Sequence, residues 1–299
     1  MPTVAPVTVV VITRDRLSVL LSTLERLAAL PEAPPILVVD NGSENGASVA
    51  VREAFPQVEV VAAGKNLGAA GRNVGARHAR TQLVAFSDDD SWWEPGALER
   101  AAELFAAHPR LALVAARILV NGREDPTCAD MASSPLPEPF PLPGPPVLGF
   151  VACGAVVRRE AFLAVGGFHP RIPVGGEERL LALDLVAAGW AAAYADDVVA
   201  HHSPPPRSDP SRRHRAIARS GLLTAWLRRP LPGAVTSTVH LTRRAPRTTL
   251  ATVRDLPWVL RERRAVSREL DGAWSLVSSP SEGFPAARPR NQEAGRRGR

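Results

Sequence analysis

Short β-branched or apolar runs alternate with segments of helical spacing over the first two thirds of the chain. "VTVVVI" at residues 7–12 reads as a buried strand. "LSVLLSTLERLAAL" follows with helical spacing, and Pro31 closes it. "PPILVVDNGS" predicts a second strand that ends in a turn, "SVAVREAF" a helix, "VEVVAAG" a third strand, and "GAAGRNVGARHA" a helix opened by glycine. "QLVAFS" is a fourth strand that runs into three adjacent carboxylates, Asp88, Asp89 and Asp90. "EPGALERAAELF" then reads as a helix start. Residues 125–146 hold eight prolines and read as a loop with no regular element. "GFVACGAVVRREAFLAVGGF" returns to strand and helix, "GGEERLLALDLVAAGW" is a helix, and "AAAYADDVVAHH" is a last strand. This alternation predicts an α/β fold, a mostly parallel mixed sheet flanked by helices.

In such sheets ligands sit at the carboxyl ends of the strands. Thr13, Asp40, Asn41 and Asp88 to Asp90 all fall at predicted strand ends, on one rim. Three carboxylates side by side repel one another unless a positive charge lies between them. An acidic turn capping the next helix is one reading, since Asp is a good N-cap. A divalent-cation site is the other, because hard cations take carboxylate oxygens. The other polar clusters on the same rim favour the cation site, since a helix cap does not account for them.

The chain has 299 residues, 45% of them hydrophobic, enough for a sizeable core. Cys128 and Cys153 are its two cysteines, so no disulfide framework is implied and a reducing compartment fits. The N-terminal stretch lacks the basic and apolar regions of a signal peptide, and no segment approaches the roughly 18 apolar residues of a membrane span. A cytoplasmic location is expected. Charge is unevenly spread. Residues 1–200 carry 16 Lys and Arg against 23 Asp and Glu, a net of −7. Residues 201–299 carry 20 against 7, a net of +13. The expected organisation is an α/β domain at 1–205, a basic helical extension at 206–276 and a disordered tail at 277–299. Within the extension, Arg243, Arg244, Arg247, Arg254, Arg261, Arg263 and Arg264 lie close to Leu250, Val253, Leu256, Trp258, Val259 and Leu260. That pattern predicts docking on an anionic membrane surface, at the inner face of the cell membrane; the alternative is that these apolar residues pack on the α/β domain while the arginines face water, and Pro257 breaks any long helix in either case. Nucleic acid is not an expected partner, since aromatics are only 5% and none interleaves the arginine runs.

Five ordered stretches, "VVVITRDR", "VVDNGS", "NLGAAGRNVGARHA", "FSDDDSWWEPGAL" and "GGEERLLALDLVAAGW…DDVVAHH", together resemble the family-2 inverting glycosyltransferases of GT-A fold. The resemblance covers roughly residues 7–202. It implies transfer of a sugar from a nucleoside-diphosphate sugar to a hydroxyl acceptor such as a glycan, a lipid-linked glycan or a small molecule. It implies that Thr13 and Asp40 hold the nucleoside. Asn66, Arg72 and Asn73 belong to the Gly-opened helix start, which suits the donor's phosphates; Gly68, Gly71 and Gly75 equally suit close helix–sheet packing. Asp88 and Asp90 resemble the family's D-x-D motif: Asp90 binds Mn²⁺ or Mg²⁺, and Asp88 binds the ribose or the metal. On an extended segment these two face one side, so Asp89 faces away and supports the donor site structurally. Trp92 and Trp93 either pack beneath the site or stack on a sugar. One of His201 and His202 completes the metal or diphosphate site, with His201 preferred. Glu178 is the implied general base, with Glu177 the alternative. The family carries Glu-Asp where this chain has Glu177-Glu178, and often an Arg where this chain has Asp184. Two rival readings are a sugar-nucleotide pyrophosphorylase and a non-catalytic nucleotide-sugar-binding or scaffolding domain. The first wants a glycine-rich loop after the first strand, which "TRDRLSVL" lacks.

Overall fold

The structure, a computed structural model, describes residues 7–172, 175–205 and 210–277. The N-terminal half is built from β1 (Val7–Thr13), α1 (Leu17–Ala28), β2 (Ile36–Asp40), α2 (Ala47–Ala54), β3 (Glu59–Ala62), α3 (Gly71–His78) and β4 (Leu83–Asp88). β5 (Ser91–Trp93), α4 (Ala97–Ala107), β6 (Leu111–Val120), β7 (Arg123–Glu124) and α5 (Pro126–Ala132) follow. β8 (Ala155–Arg158), α6 (Arg159–Ala164), α7 (Glu177–Ala187) and β9 (Ala191–His202) complete the sheet and its helices. Five more helices close the described chain: α8 (Pro210–Arg228), α9 (Leu231–Arg244), α10 (Pro246–Thr252), α11 (Leu256–Glu262) and α12 (Arg268–Val277). Apart from Val277, the tail expected at 277–299 lies outside the described residues.

The strands form one sheet in the order β3-β2-β1-β4-β8-β6-β9-β5, with β7 on β6. The first four are parallel; β8 runs against both β4 and β6, and β9 is parallel to β6. β1 is buried on both faces, as its β-branched run requires. Val7, Val9 and Val11 join Leu20, Leu24 and Leu27 of α1, while Val10 joins Phe86, Phe162 and Leu181 on the opposite face. α3 approaches the second face closely: a Cβ on Gly75 would run into the Val10 side chain. This favours the packing role for that glycine.

The C-terminal helices are a third layer rather than an appendage. α7 turns Leu181 and Leu185 toward the sheet. Its opposite side places Leu180 with Leu223, Leu227, Trp258 and Val259, and Leu183 with Ala225, Val266, Leu270 and Trp274. Trp258 is therefore only 8% exposed and Val259 is fully buried, against the expectation that both face a membrane. Burial of this apolar surface outweighs the local arginine density, because the arginines turn outward or pair. Arg228 takes Asp184 of α7 through two nitrogens, Arg229 pairs with Asp271, and Arg219 with Asp255. Asp184, which departs from the family's Arg, is thus the anchor for α8. Pro257 sits in the first turn of α11, where its missing N–H costs nothing, and α10 ends before it at Thr252, so no long helix runs through this stretch, as expected.

One further expectation changes, and one alternative reading falls away. The proline-rich segment contains a short regular element, α5, whose Pro126 is pre-set for a first turn and whose Asp125 accepts a capping bond from Thr127 N. The acidic triplet does not cap α4, which starts at Ala97 behind Gly96.

Candidate active site

Register places the site residues side by side. In the parallel pairings Thr13 is level with Asp40, and Ile12 with Asp88, so the ends of β1, β2 and β4 form one rim. β4 ends at Asp88, and Asp89 and Asp90 form a turn, braced by Asp88 N donating to Ser91 Oγ. The alternation expected of an extended Asp88–Asp90 segment is therefore replaced by turn geometry. Asp88 keeps its side chain 32% exposed, whereas Asp89 and Asp90 are buried.

Each carboxylate of the triplet has a cation or donor. Arg72, buried at the start of α3, pairs with Asp88. Arg16, just after β1, reaches both Asp89 and Asp90, the latter at 3.0 Å. Asp89 also accepts from Thr13 Oγ1 at 3.0 Å, and its backbone carbonyl accepts from Thr23. Thr13 therefore directs its hydroxyl proton at Asp89. Burial pushes the Asp89 carboxyl up to about 6 against the pull of Arg16 and Thr13. Burial also acts on Asp90, but His202 and Arg16 outweigh it and hold Asp90 below its ordinary value. Sequence reading assigned Arg16 no role. The signal for it was present: a triplet of acids calls for a cation, and Arg16 lies three residues past a strand end on the same rim.

Of the histidine pair, His202 is the one at the triplet, with Nε2 3.3 Å from Asp90 Oδ1. The preferred His201 instead pairs with Glu94 and stacks on Trp92, the ring centroids 5.3 Å apart. The reason is register: Ser91 pairs with His202 and Trp92 with His201, and alternation sends the two imidazoles to opposite faces. Trp92 also carries Arg26 at 3.9 Å from its ring centroid, and Trp93 is buried in the core. Both tryptophans are thus packing residues here, as the first of the two readings has it.

Asp40 accepts from Ser43 N at 2.8 Å and Ser48 Oγ at 2.6 Å. Burial raises its pKa, yet these bonds outweigh that and leave it lowered. Asn41 holds the neighbouring loop, accepting from Leu67 N and donating to Gly68 O, and Asn66 accepts from Gly68 N. Asn73 holds the loop after α6, donating to the carbonyls of Phe168 at 2.8 Å and Gly166 at 3.4 Å and accepting from Phe168 N at 2.9 Å. Asn66 and Asn73 therefore brace loops beside the rim.

The acid pair opens α7. Glu177 is buried and accepts from Gly175 N and Gly176 N, while Glu178 is half-buried and accepts from Gly176 N at 3.2 Å. Burial, and next the neighbouring Glu177, raise the Glu178 carboxyl to about 8; Arg72 opposes this weakly. Arg72 itself loses charge stabilisation by burial, but Asp88, then Glu177, Cys153 and Glu178, more than restore it. One buried guanidinium thus interacts electrostatically with both the triplet and the acid pair. Its Nε is buried without a protein partner.

The donor set of Asp88, Asp90 and His202, two carboxylates and an imidazole, suits Mn²⁺ or Mg²⁺ chemically. Among the described residues, no three His, Cys, Asp or Glu side chains converge as a ready-made metal site.

Comparison with solved structures gives the fold a context. The mannosyltransferase PcManGT from Pyrobaculum calidifontis, in complex with GDP-Man and Mn²⁺, superposes with a TM-score of 0.60 at 19% identity, over 92% of this chain and 87% of that one. S. aureus TarS 1–349 in complex with UDP-GlcNAc gives 0.55 at 17% identity, over 73% and 66% of the respective chains. At these identities the likeness is one of fold, and the fold is GT-A. No curated protein matches the sequence. The model of the family "Glycosyl transferase family 2" matches residues 8–166, more than half of the chain and the part that carries the rim from Thr13 to Asp90. The chain belongs to glycosyl transferase family 2.

Proposed function

We propose that the chain moves a sugar from a nucleoside-diphosphate sugar to a hydroxyl acceptor in one displacement with inversion, assisted by a divalent cation. The observation that carries this reading is buried Arg72, paired with Asp88 and within electrostatic reach of Glu177 and Glu178. A fixed positive charge of this kind would favour departure of a diphosphate, and the carboxylates can take a proton. The GDP-Man and Mn²⁺ in the similar mannosyltransferase structure support the same reading. Asp40 receives the nucleoside, with the carboxylate held ionised by Ser43 and Ser48. Asp88, Asp90 and His202 are the residues that would hold the cation, which neutralises the diphosphate when bound. Arg72 pairs with a phosphate oxygen. Glu178, in its ionised form, takes the acceptor's proton; Glu177 is committed to the backbone of its own turn.

The acceptor is proposed to be presented at an anionic membrane surface, as a lipid-linked or growing glycan. No helix among the described residues is long and apolar enough to cross a membrane. The outward face of the C-terminal layer supports surface docking instead. Leu231, Val235 and Val239 recur every four residues along α9 and are exposed, and Arg243 continues the row. Arg247, Leu250, Val253 and Arg254 are exposed in and just after α10.

Calorimetry with nucleoside diphosphates and their sugars, with and without Mn²⁺, tests the donor reading. Binding of at least one nucleotide-sugar that tightens with Mn²⁺ is the expected result; absence of binding across all bases would overturn it.

A further inference from the structure

We infer that helix α8 is a positioning element for the catalytic acid pair, so that the C-terminal layer governs turnover. This rests on the proposed role of Glu178 as the base. The turn that presents the pair is Gly175–Gly176, with φ of +98° and +148°, conformations that side chains rarely adopt. Its N–H groups hold the Glu177 carboxylate, and Gly176 N also reaches Glu178.

The turn lies directly against α8. A Cβ on Gly175 would stand 2.8 Å from Ile217 Cγ1, and a Cβ on Gly176 would stand 2.7 Å from Ser220 Cβ. Neither glycine has room for a Cβ, so the bare backbone of the turn packs against α8. Further along, α8 keeps step with α7: Leu223 and Leu227 share a cluster with Leu180, and Arg228 takes Asp184 through two nitrogens. From Gly175 to Asp184 the two helices run side by side in one direction. On the far side, His169 pairs with Glu262 of α11 at 2.9 Å and stacks on Trp258, tying the preceding loop to the same layer. Ser220 and Ile217 touch the turn, not the rim, so their effect on chemistry passes through Glu178.

The test is a set of purified full-length variants read for donor affinity by calorimetry, turnover, and the pH profile of turnover. Ser220→Leu pushes on the turn. Displacing a catalytic group by about 1 Å costs on the order of 10² in rate. We expect Ser220→Leu to lose turnover to that extent with donor affinity unchanged. If Ser220→Leu does not fold, Ile217→Ala is read instead. It frees the turn, lowers turnover and moves the rising limb of the pH profile, where the base ionises. Parental turnover in both Ile217→Ala and a folded Ser220→Leu overturns the inference, and so does a loss of donor affinity in step with turnover. Glu178→Gln is run in parallel. If it keeps turnover while Ser220→Leu loses it, the base assignment fails and the positioning of the turn stands. If Glu178→Gln is dead and Ser220→Leu is parental, the positioning role fails alone.

Discussion

Arg72 and Asp88 form an ion pair that ties the start of α3 to the end of β4, with the arginine buried and the aspartate still partly open to solvent. A buried guanidinium is costly unless its donors are used. Here its Nε has no protein partner. An anionic ligand with several oxygens would use that donor, and a planar fork suits it better than a point charge. Arg72→Lys is therefore expected to weaken nucleoside-diphosphate binding by about tenfold, a loss of roughly 1.4 kcal/mol, while the fold is kept. Calorimetric titration of the variant checks this; parental affinity would move the phosphate role away from Arg72.

Asp90 is buried, is held ionised by His202 and Arg16, and shares the rim with Asp88. Replacing it by Asn keeps its shape but removes a hard anionic donor. The expected outcome is that Mn²⁺ no longer strengthens donor binding and that transfer is nearly abolished. Titration of nucleoside diphosphate with and without Mn²⁺ reads the difference. A variant with the parental metal dependence would show that Asp90 is not a ligand.

Glu178 carries a carboxyl raised to about 8 by burial and by Glu177, against an ordinary value of 4.5. A base must be ionised, so turnover is expected to rise with pH through about 8 and then level off. Stability should respond in the opposite sense. Between 4.5 and about 8 the unfolded chain has released the proton that the folded chain retains, so raising the pH favours unfolding across that window. Glu178→Gln removes this penalty. Its melting temperature should match the parent's at pH 4 and exceed it at pH 8.5, while its turnover falls by roughly 10² to 10⁴. Equal melting curves at both pH values would place the ionisation elsewhere.

The N-terminal half was legible because its strands are continuous apolar runs ending in polar residues. β2, β1 and β4 are adjacent and parallel in the sheet, so Thr13, Asp40 and Asp88 could be placed on one rim from the strand ends alone. β6 was not read, although "LALVAARILV" is an apolar run of strand-like character. Its neighbours β8 and β9 arrive some forty to eighty residues later, so nothing local marks its place. Arg16 was missed because its partners lie more than seventy residues away. The extension was read as an appendage because a charge count weighs all arginines alike. Arg228 and Arg229 are committed to Asp184 and Asp271, and Arg263 is bound to the backbone carbonyls of Trp226 and Arg229, so none of the three belongs to the outer charged face. The histidine preference failed for a smaller reason. Alternation says that one of two adjacent imidazoles faces the site, but only the pairing of Ser91 with His202 says which.

The membrane-surface reading now rests on a different set of side chains. Trp258 and Val259 are inside, but Leu250 is 74% exposed, and Val253 and Leu260 are exposed with it. The exposed row on α9, Leu231, Val235 and Val239, adds apolar area that the sequence pattern did not single out. Arg243, Arg247 and Arg254 lie in or just after the same two helices and are exposed. Each basic group near an anionic leaflet contributes about 1 kcal/mol, and that attraction is screened within a Debye length of about 10 Å at 0.1 M salt. Vesicles rich in anionic lipid should therefore pellet the protein at low salt, neutral vesicles should pellet much less, and added salt should release it. Arg243→Glu, Arg247→Glu and Arg254→Glu combined should abolish pelleting and leave turnover on a soluble acceptor intact, since none of the three belongs to the rim. Negligible pelleting of the parent with both vesicle types, or pelleting of the triple variant at the parental level, would rule this face out as the docking surface.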